Sequence, residues 1–312
     1  MSPDASPERV KALVTGASGF VGRHLVEHLE DLGQEVVCVD RSTDGVDVTD
    51  AEAVHALVGS IGPDVVYHLA GWADVGGSWS APVEAFRANA EGTLNVLLAA
   101  ADAGVKRVLA VSSADVYGIV TPEELPLTED SPLRPASPYA ASKVAADYLG
   151  LQAWLGRGLP VIRVRAFNHL GPGQTDKFVA PALASRVARA ERDGGEVITV
   201  GDLSARRDFT DVRDVVRAYR LLMERGEPGE VYNVCSGADL AVQDIADRLV
   251  AQSRVPLRLE VDQSLLRPVE LPVLLGSHDR LTAATGWEPQ ISIDQTLADL
   301  LEDWRKRVAA EV

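Results

Sequence analysis

The chain has only two cysteines, Cys38 and Cys235, among 312 residues. That excludes a disulfide framework and makes a reducing compartment the default. Its six histidines (His24, His28, His55, His68, His169 and His278) show no metal-ligand spacing, and no Cys/His cluster accompanies them, so no metal is expected. No apolar run reaches the ~18 residues that span a bilayer, and the first nine residues, MSPDASPER, are polar and unlike a signal sequence. Membrane association is not expected, and a cytoplasmic location is. Positive charge is also short: 30 Lys and Arg face 46 Asp and Glu, a net charge of −16. Such an imbalance argues against nonspecific binding to nucleic acid or anionic membrane, while leaving room for a local basic pocket that takes a phosphorylated ligand.

What remains is a chain that is 46% hydrophobic, enough for a substantial core and for one large α/β domain with a smaller lobe. Strand-like runs alternate with amphipathic helices through the first half. The strands are read at Lys11 to Val14, Glu35 to Asp40, Asp64 to Leu69, Arg107 to Ser112 and Pro160 to Ala166. This alternation predicts a Rossmann-type, doubly wound parallel sheet. Between the strands, Val83 to Ala101 and Tyr139 to Trp154 read as long helices with wide Ala, Leu and Val faces, a pattern that fits either core burial or a homodimer interface. After Asn168 the pattern turns irregular, and Glu230 to Val234 reads as one strand returning to the main sheet. The expected division is a flexible 1–10, a dinucleotide-binding domain over 11–167 plus about 212–236, and a substrate-binding lobe over 168–211 and 237–312.

The first strand runs into TGASGFVG, where Gly16, Gly19 and Gly22 have the spacing G-x-x-G-x-x-G. The first glycine allows a tight turn, the second lets backbone approach a pyrophosphate, and the third lets the next helix pack on the sheet. Phe20 and Val21 complete this cofactor-binding segment. Asp40 closes the second strand about 20 residues further on, where a carboxylate can accept hydrogen bonds from an adenosine ribose. It repels a 2′-phosphate and so favours NAD(H); Arg41, directly after it, could pair with that phosphate and keeps NADP(H) open.

In PYAASK, Tyr139 and Lys143 stand four residues apart on a predicted helix, hence on one face. A nearby ammonium stabilises a phenolate, so the Tyr139 pKa is expected to fall toward the working pH.

With these residues in place, the chain resembles the extended short-chain dehydrogenase/reductases that modify nucleotide sugars, over nearly its whole length. Further matches are Asp47-Val48, His68-Leu69-Ala70, Asn89 and SSADVYG at Ser112 to Gly118. The resemblance implies that Asp47 and Val48 hold adenine, that Leu69 and Ala70 line the cofactor, and that Ser113 is the catalytic Ser/Thr beside Tyr139 and Lys143. The second half is similar to the GDP-sugar branch, which includes GDP-4-keto-6-deoxymannose reductases and GDP-mannose 4,6-dehydratases. FNHLGPGQ, GDLSARRDFTDVRDVVRAY, LRPVELPV and TGWEPQ carry that likeness. It implies a GDP-sugar substrate, with Asn168 and Arg207 on the diphosphate and Arg267 and Glu270 at the nucleotide end. The plainer reading of RRDFTDVRD is that Arg206, Asp208, Asp211 and Arg213 pair among themselves.

Position 115 divides the reaction classes. Dehydratases of this group carry Glu there, and Asp115 is one methylene shorter; at position 114, where some carry an acidic Asp, this chain has Ala114. A misplacement of that size costs ~100-fold, so reduction at C4 is expected ahead of 4,6-dehydration, with Asp115 beside the sugar or capping its own turn. A 4-epimerase, which needs only Ser113, Tyr139, Lys143 and bound NAD, and a cofactor-binding regulator without turnover are the other readings.

Overall fold

The computed structural model describes residues 10–262 and 272–311. Lys11–Thr15 (β1) leads through the glycine segment into Phe20–Asp31 (α1) and Glu35–Val39 (β2). Ala51–Ile61 (α2), capped at its start by the Asp50 side chain on the Ala53 N–H, leads to Val65–His68 (β3). Pro82–Phe86 (α3), a π-helical turn at Arg87–Glu91 and Gly92–Asp102 (α4) precede Arg107–Ser113 (β4). Pro138–Arg157 (α5) and Val161–Ala166 (β5) follow, and the short Asn168–Leu170 (β6) opens the second half. There Val179–Asp193 (α6), Val197–Val200 (β7), Arg206–Asp211 (β8), Val212–Arg225 (α7) and Val231–Val234 (β9) run in order. Asp239–Ala241 (β10), Val242–Ala251 (α8), Arg258–Val261 (β11), Val273–Leu274 (β12), Asp279–Thr285 (α9) and Ile293–Ala309 (α10) complete the described elements.

The main sheet is parallel, in the order β2-β1-β3-β4-β5-β9. From β1 the chain steps outward to β2, then crosses to the other side of β1 to lay down β3. This reversal leaves a crevice at the carboxyl ends of β1 and β3, the place where open α/β sheets bind ligands. Both faces of the sheet are covered, which is why its strands are runs of Val, Leu and Ile. Leu25 and Leu29 of α1 and Tyr219 and Leu222 of α7 fill one face; Val54 and Val58 of α2 and Val96 and Leu97 of α4 fill the other. Each such fully buried Leu contributes roughly 1.5–3 kcal/mol over an exposed one.

The lobe is organised by β8, which pairs antiparallel with β10 and parallel with β6 and β12, while β7 pairs with β11. Helices α6, α8 and α10 close over it through Leu183, Val187, Ile245, Leu249, Leu297 and Leu301. The strand bearing Arg207 is thereby carried to the crevice.

Two expectations need correction. Val83 to Ala101 is not one regular helix, because the π turn at Arg87–Glu91 interrupts it. The C-terminal stretch 237–312 does not all belong to the lobe: α9 and Trp287 pack into the main core. The indole of Trp287 is wholly buried, donates to the Asp214 carbonyl of α7 (3.0 Å) and carries Arg217 over its ring. Among the described residues no helix is long and apolar enough to cross a membrane, and no group of three or more His, Cys, Asp or Glu is placed to hold a metal ion.

Candidate active site

The glycine segment forms a cradle walled by close backbone at its glycines. Gly16 has φ +73°, and a Cβ there would sit 2.8 Å from the Ala70 nitrogen; one on Gly22 would sit 2.1 Å from the Gly16 carbonyl oxygen. Both contacts are with backbone, so α1 starts directly against the ends of β1 and β3. The Gly16 N–H is tied to the Val39 carbonyl at 2.9 Å, which brings the loop beside Asp40. Asp40 accepts from the Ser42 N–H (2.9 Å) and hydroxyl (2.7 Å). Burial works against its charge, but hydrogen bonds with Ser42 and Ser18 win and hold its carboxyl below the ordinary range. Arg41 is exposed and reaches toward Asp47 (3.5 Å), whose carboxylate also accepts from Thr49. Val48 packs under Gly92, and its carbonyl accepts from Asn95 at 2.9 Å. A backbone-walled helix N-terminus with an ionised carboxylate at the neighbouring strand end fits the pyrophosphate and ribose of a dinucleotide.

Tyr139 and Lys143 do share one face of α5, with the Lys143 Nζ 6.0 Å from the Tyr139 ring centre, and both are buried. Ser113 ends β4, and its hydroxyl accepts from the Asp115 N–H at 3.2 Å. Tyr139, Ser113 and Asp115 meet: burial and then the Asp115 charge raise the Tyr139 pKa, while a hydrogen bond with Ser113 opposes the rise. The expected fall in the Tyr139 pKa is therefore reversed. Burial outweighs the ammonium, which is turned to the Val111 carbonyl oxygen at 3.0 Å. Lys143 itself is brought down to about 8 by burial. Asp115 is raised by burial, against the attraction of Arg207 and a hydrogen bond with Ser113.

Behind this cluster Asn89 and His68, both part of the resemblance, bond to Trp72, Ser142, Thr15 and Thr93, which with Ser78 the sequence reading does not single out. Asn89, inside the π turn, accepts from the Trp72 N–H (2.8 Å) and donates to the Ser142 hydroxyl (2.8 Å), tying the strand-end loop to the helix of Tyr139 and Lys143. Ser78 accepts from the Tyr139 N–H (3.2 Å). His68 bridges Thr15 (Nδ1 to Oγ1, 2.8 Å) and Thr93 (Nε2 to Oγ1, 3.1 Å), and Thr93 donates to the Asn89 carbonyl (2.6 Å). With that donor spent, Thr93 receives the Nε2 proton and Nδ1 accepts from Thr15, a neutral tautomer. Burial, then the Lys143 charge, hold the His68 pKa down to about 3.

On the lobe side, Asn168 is exposed where β6 begins. Arg207 acts on Asp115 across the crevice, and its Nη1 donates to the Arg206 carbonyl at 2.8 Å. The pairing expected within RRDFTDVRD holds only for Arg213 with Asp211 (2.7 Å). Arg206 pairs with Asp239, and the wholly buried Asp208 accepts from the N–H groups of Ser236 (2.7 Å) and Gly237 (3.0 Å). Arg267 and Glu270 lie outside the described residues.

A backbone-walled glycine cradle at the switch point, beside a buried Ser, Tyr and Lys cluster, defines a dinucleotide-dependent enzyme of Rossmann type. Sequence comparison agrees. The pattern of the NAD dependent epimerase/dehydratase family matches residues 12–235. The GDP-6-deoxy-D-mannose reductase of Pseudomonas aeruginosa is 38% identical over 303 residues, spanning 96% of this chain and 99% of that protein. The structure of RMD from Pseudomonas aeruginosa complexed with NADPH matches with a TM-score of 0.86 at 37% identity, covering 96% of this chain and 99% of that one. The Thermus thermophilus UDP-glucose 4-epimerase complex with NAD matches with a TM-score of 0.83 at 30% identity, covering 95% and 99%. The chain belongs to the NAD dependent epimerase/dehydratase family. It is an NAD(P)-dependent nucleotide-sugar enzyme of the extended short-chain dehydrogenase/reductase type.

Proposed function

We propose that the protein reduces the C4 keto group of GDP-4-keto-6-deoxy-D-mannose to give GDP-6-deoxy-D-mannose. The observation that supports this most is end-to-end similarity to the Pseudomonas aeruginosa GDP-6-deoxy-D-mannose reductase. Asp115, one methylene shorter than the Glu that dehydratases of this group carry, supports the same direction. A 4,6-dehydratase would begin by oxidising C4, with Tyr139 taking a proton.

In this reading Gly16, Gly19, Phe20, Val21 and Gly22 hold the cofactor pyrophosphate, Asp40 its adenosine ribose, Asp47 and Val48 its adenine, and Leu69 and Ala70 its inner wall. A reduced nicotinamide held there would supply the hydride that C4 gains. Tyr139 gives its proton to the oxygen that becomes the C4 hydroxyl, and Ser113 donates a hydrogen bond to the same oxygen. The Lys143 ammonium lies behind the phenol, where it holds the nicotinamide ribose and eases charge onto Tyr139 as the proton leaves. Arg207 and Asn168 take the diphosphate, with the guanidinium well suited to two phosphate oxygens at once. Asp115 faces a sugar hydroxyl. Asp40 makes NAD(H) the favoured cofactor, and the functional unit is a homodimer formed through the faces of α3, α4 and α5.

The deciding experiment follows nicotinamide absorbance with purified protein, GDP-4-keto-6-deoxymannose and either NADH or NADPH, alongside GDP-mannose alone. Rapid loss of the reduced cofactor with the keto-sugar is the expected result. Persistence of the cofactor while GDP-mannose becomes a keto product would replace reductase by dehydratase.

A further inference from the structure

The two halves of the candidate catalytic cluster stand on separate supports. Tyr139 and Lys143 are on α5, whereas Ser113 and Asp115 belong to the end of β4 and the 3-10 turn Ala114–Tyr117. One buried side chain, Arg165 of β5, grips both supports. Its Nε donates to Asp147 Oδ2 at 2.8 Å, and Asp147 lies one helical step beyond Lys143 on the same face of α5. Its Nη1 donates to the Tyr117 hydroxyl at 3.1 Å and to the Glu129 carbonyl at 2.9 Å, with the guanidinium carbon 5.2 Å from the Tyr117 ring centre.

The grip is doubly anchored. Asp147 Oδ1 accepts from Arg163 Nη1 at 2.6 Å, so both carboxylate oxygens are engaged and α5 is held against rotation on β5. Gly150 leaves room for this: a Cβ there would lie 3.1 Å from the Arg163 Cγ. Tyr117 in turn donates to Asn233 Oδ1 at 2.6 Å, which pins the far end of the turn to β9. Asp147, Arg165 and Tyr117 are all buried, and the planar guanidinium fork fixes directions as well as distances.

We propose that Asp147, Arg165 and Tyr117 form a positioning device that sets the separation between Ser113 and Tyr139, and with it the approach of both to the same substrate oxygen. None of the three is among the residues assigned above to substrate or cofactor. They act through the supports of those that are. The proposal rests on the use of Ser113, Tyr139 and Lys143 given above.

The decisive variant is Tyr117→Phe, which keeps the ring and removes the hydroxyl that accepts from Arg165 and donates to Asn233; Arg165→Lys is its companion, breaking the guanidinium fork while leaving the Tyr117 to Asn233 bond in place. Asp147→Asn is avoided because it strands two buried guanidinium charges, a change that threatens folding itself. Crystal structures of wild type and Tyr117→Phe with NAD are expected to differ by about 0.5 Å or more in the Ser113 Oγ to Tyr139 Oη separation. In turnover, a loss of about 10- to 100-fold is expected in kcat, with KM for both ligands within about threefold and a larger isotope effect from 4-deuterated reduced cofactor. An unchanged separation overturns the proposal whatever happens to kcat, since a merely structural role would lower thermal stability and active fraction alone. Should wild type prove inert toward nucleotide sugars, the functional reading fails, while the comparison of separations still decides the positioning role.

Discussion

The Lys143 Nζ donates to the Val111 carbonyl oxygen at 3.0 Å, across from the Tyr139 ring. The ammonium is thus held by a neutral backbone oxygen in a buried place, and its pKa comes down from 10.5 to about 8 by burial. Tyr139 moves the other way. On raising the pH, the lysine proton leaves first while the phenol keeps its own. We therefore expect kcat/KM for keto-sugar reduction to be level below about pH 8 and to fall about tenfold per unit above it. Lys143→Arg should move that limb beyond pH 10, because a guanidinium keeps its proton to about 12.5. A wild-type profile level to pH 10 would remove Lys143 from the role.

Stability should move in the opposite sense over the same range. Because the folded pKa lies below the unfolded one, the unfolded chain binds more protons between about 8 and 10.5, and stability from this group rises with pH there. Urea titrations of wild type and Lys143→Met at pH 7 and pH 9.5 check this. The gap in stability between them should shift in favour of wild type at the higher pH.

The parts of this site that could be read in advance are those written locally in the chain. The glycine spacing, Asp40 at a strand end and the Tyr139 to Lys143 step each lie within one turn or one helix face, so local spacing marks them as candidates, and their occurrence together sets them apart from chance pairs. Asn168 and Arg207 came only from resemblance, since nothing local separates Arg207 from its neighbours in RRDFTDVRD. The Asn89 bridge to Ser142, the Ser78 contact to Tyr139 and the Arg165 grip join residues far apart in sequence. The direction of the Tyr139 shift is not legible in the sequence for the same reason. It depends on burial and on Asp115, which comes from the 3-10 turn after β4.

Cofactor choice tests Asp40. Hydrogen bonds with Ser42 and Ser18 keep its carboxyl ionised, so a 2′-phosphate would meet like charge, while Arg41 is already within 3.5 Å of Asp47. A penalty of ~1.4 kcal/mol corresponds to about tenfold, and we expect kcat/KM for NADH to exceed that for NADPH by about that factor or more. Asp40→Ser should reverse the order. A wild type that prefers NADPH, the cofactor in the Pseudomonas aeruginosa RMD complex, would show that Arg41 governs instead.

Arg206 and Arg207 are adjacent in sequence but have different partners. Arg206 is committed to Asp239; Arg207 acts on Asp115 at the crevice. Charge-assisted hydrogen bonds contribute about 1.5–3 kcal/mol, so Arg207→Ala should raise KM for the nucleotide sugar by about 10- to 100-fold and leave cofactor affinity within about twofold. Arg206→Ala should leave both near wild type. Equal losses from the two variants would mean that the strand, and not one guanidinium, had been disturbed.

The faces of α3, α4 and α5 opposite the sheet carry large apolar side chains in water. Phe86 is 51% exposed, Tyr148 55% and Val83 59%. Phe86, Ala90, Leu94, Ala145, Tyr148 and Leu149 line one shallow, mostly apolar hollow of about 730 Å³ between these helices. An exposed apolar patch of this kind marks an interaction surface, and the commonest closed assembly, a two-fold dimer, uses the same patch on both copies. Sedimentation equilibrium should therefore give twice the 33.3 kDa chain mass, and Phe86→Asp combined with Tyr148→Asp should give the single mass. Those charges would face one another in the paired form and water in the separated one, so the double variant should stay folded by circular dichroism. A wild type that sediments as one chain would return these helices to the role of an exposed wall behind Tyr139 and Lys143, and the dimer would be withdrawn.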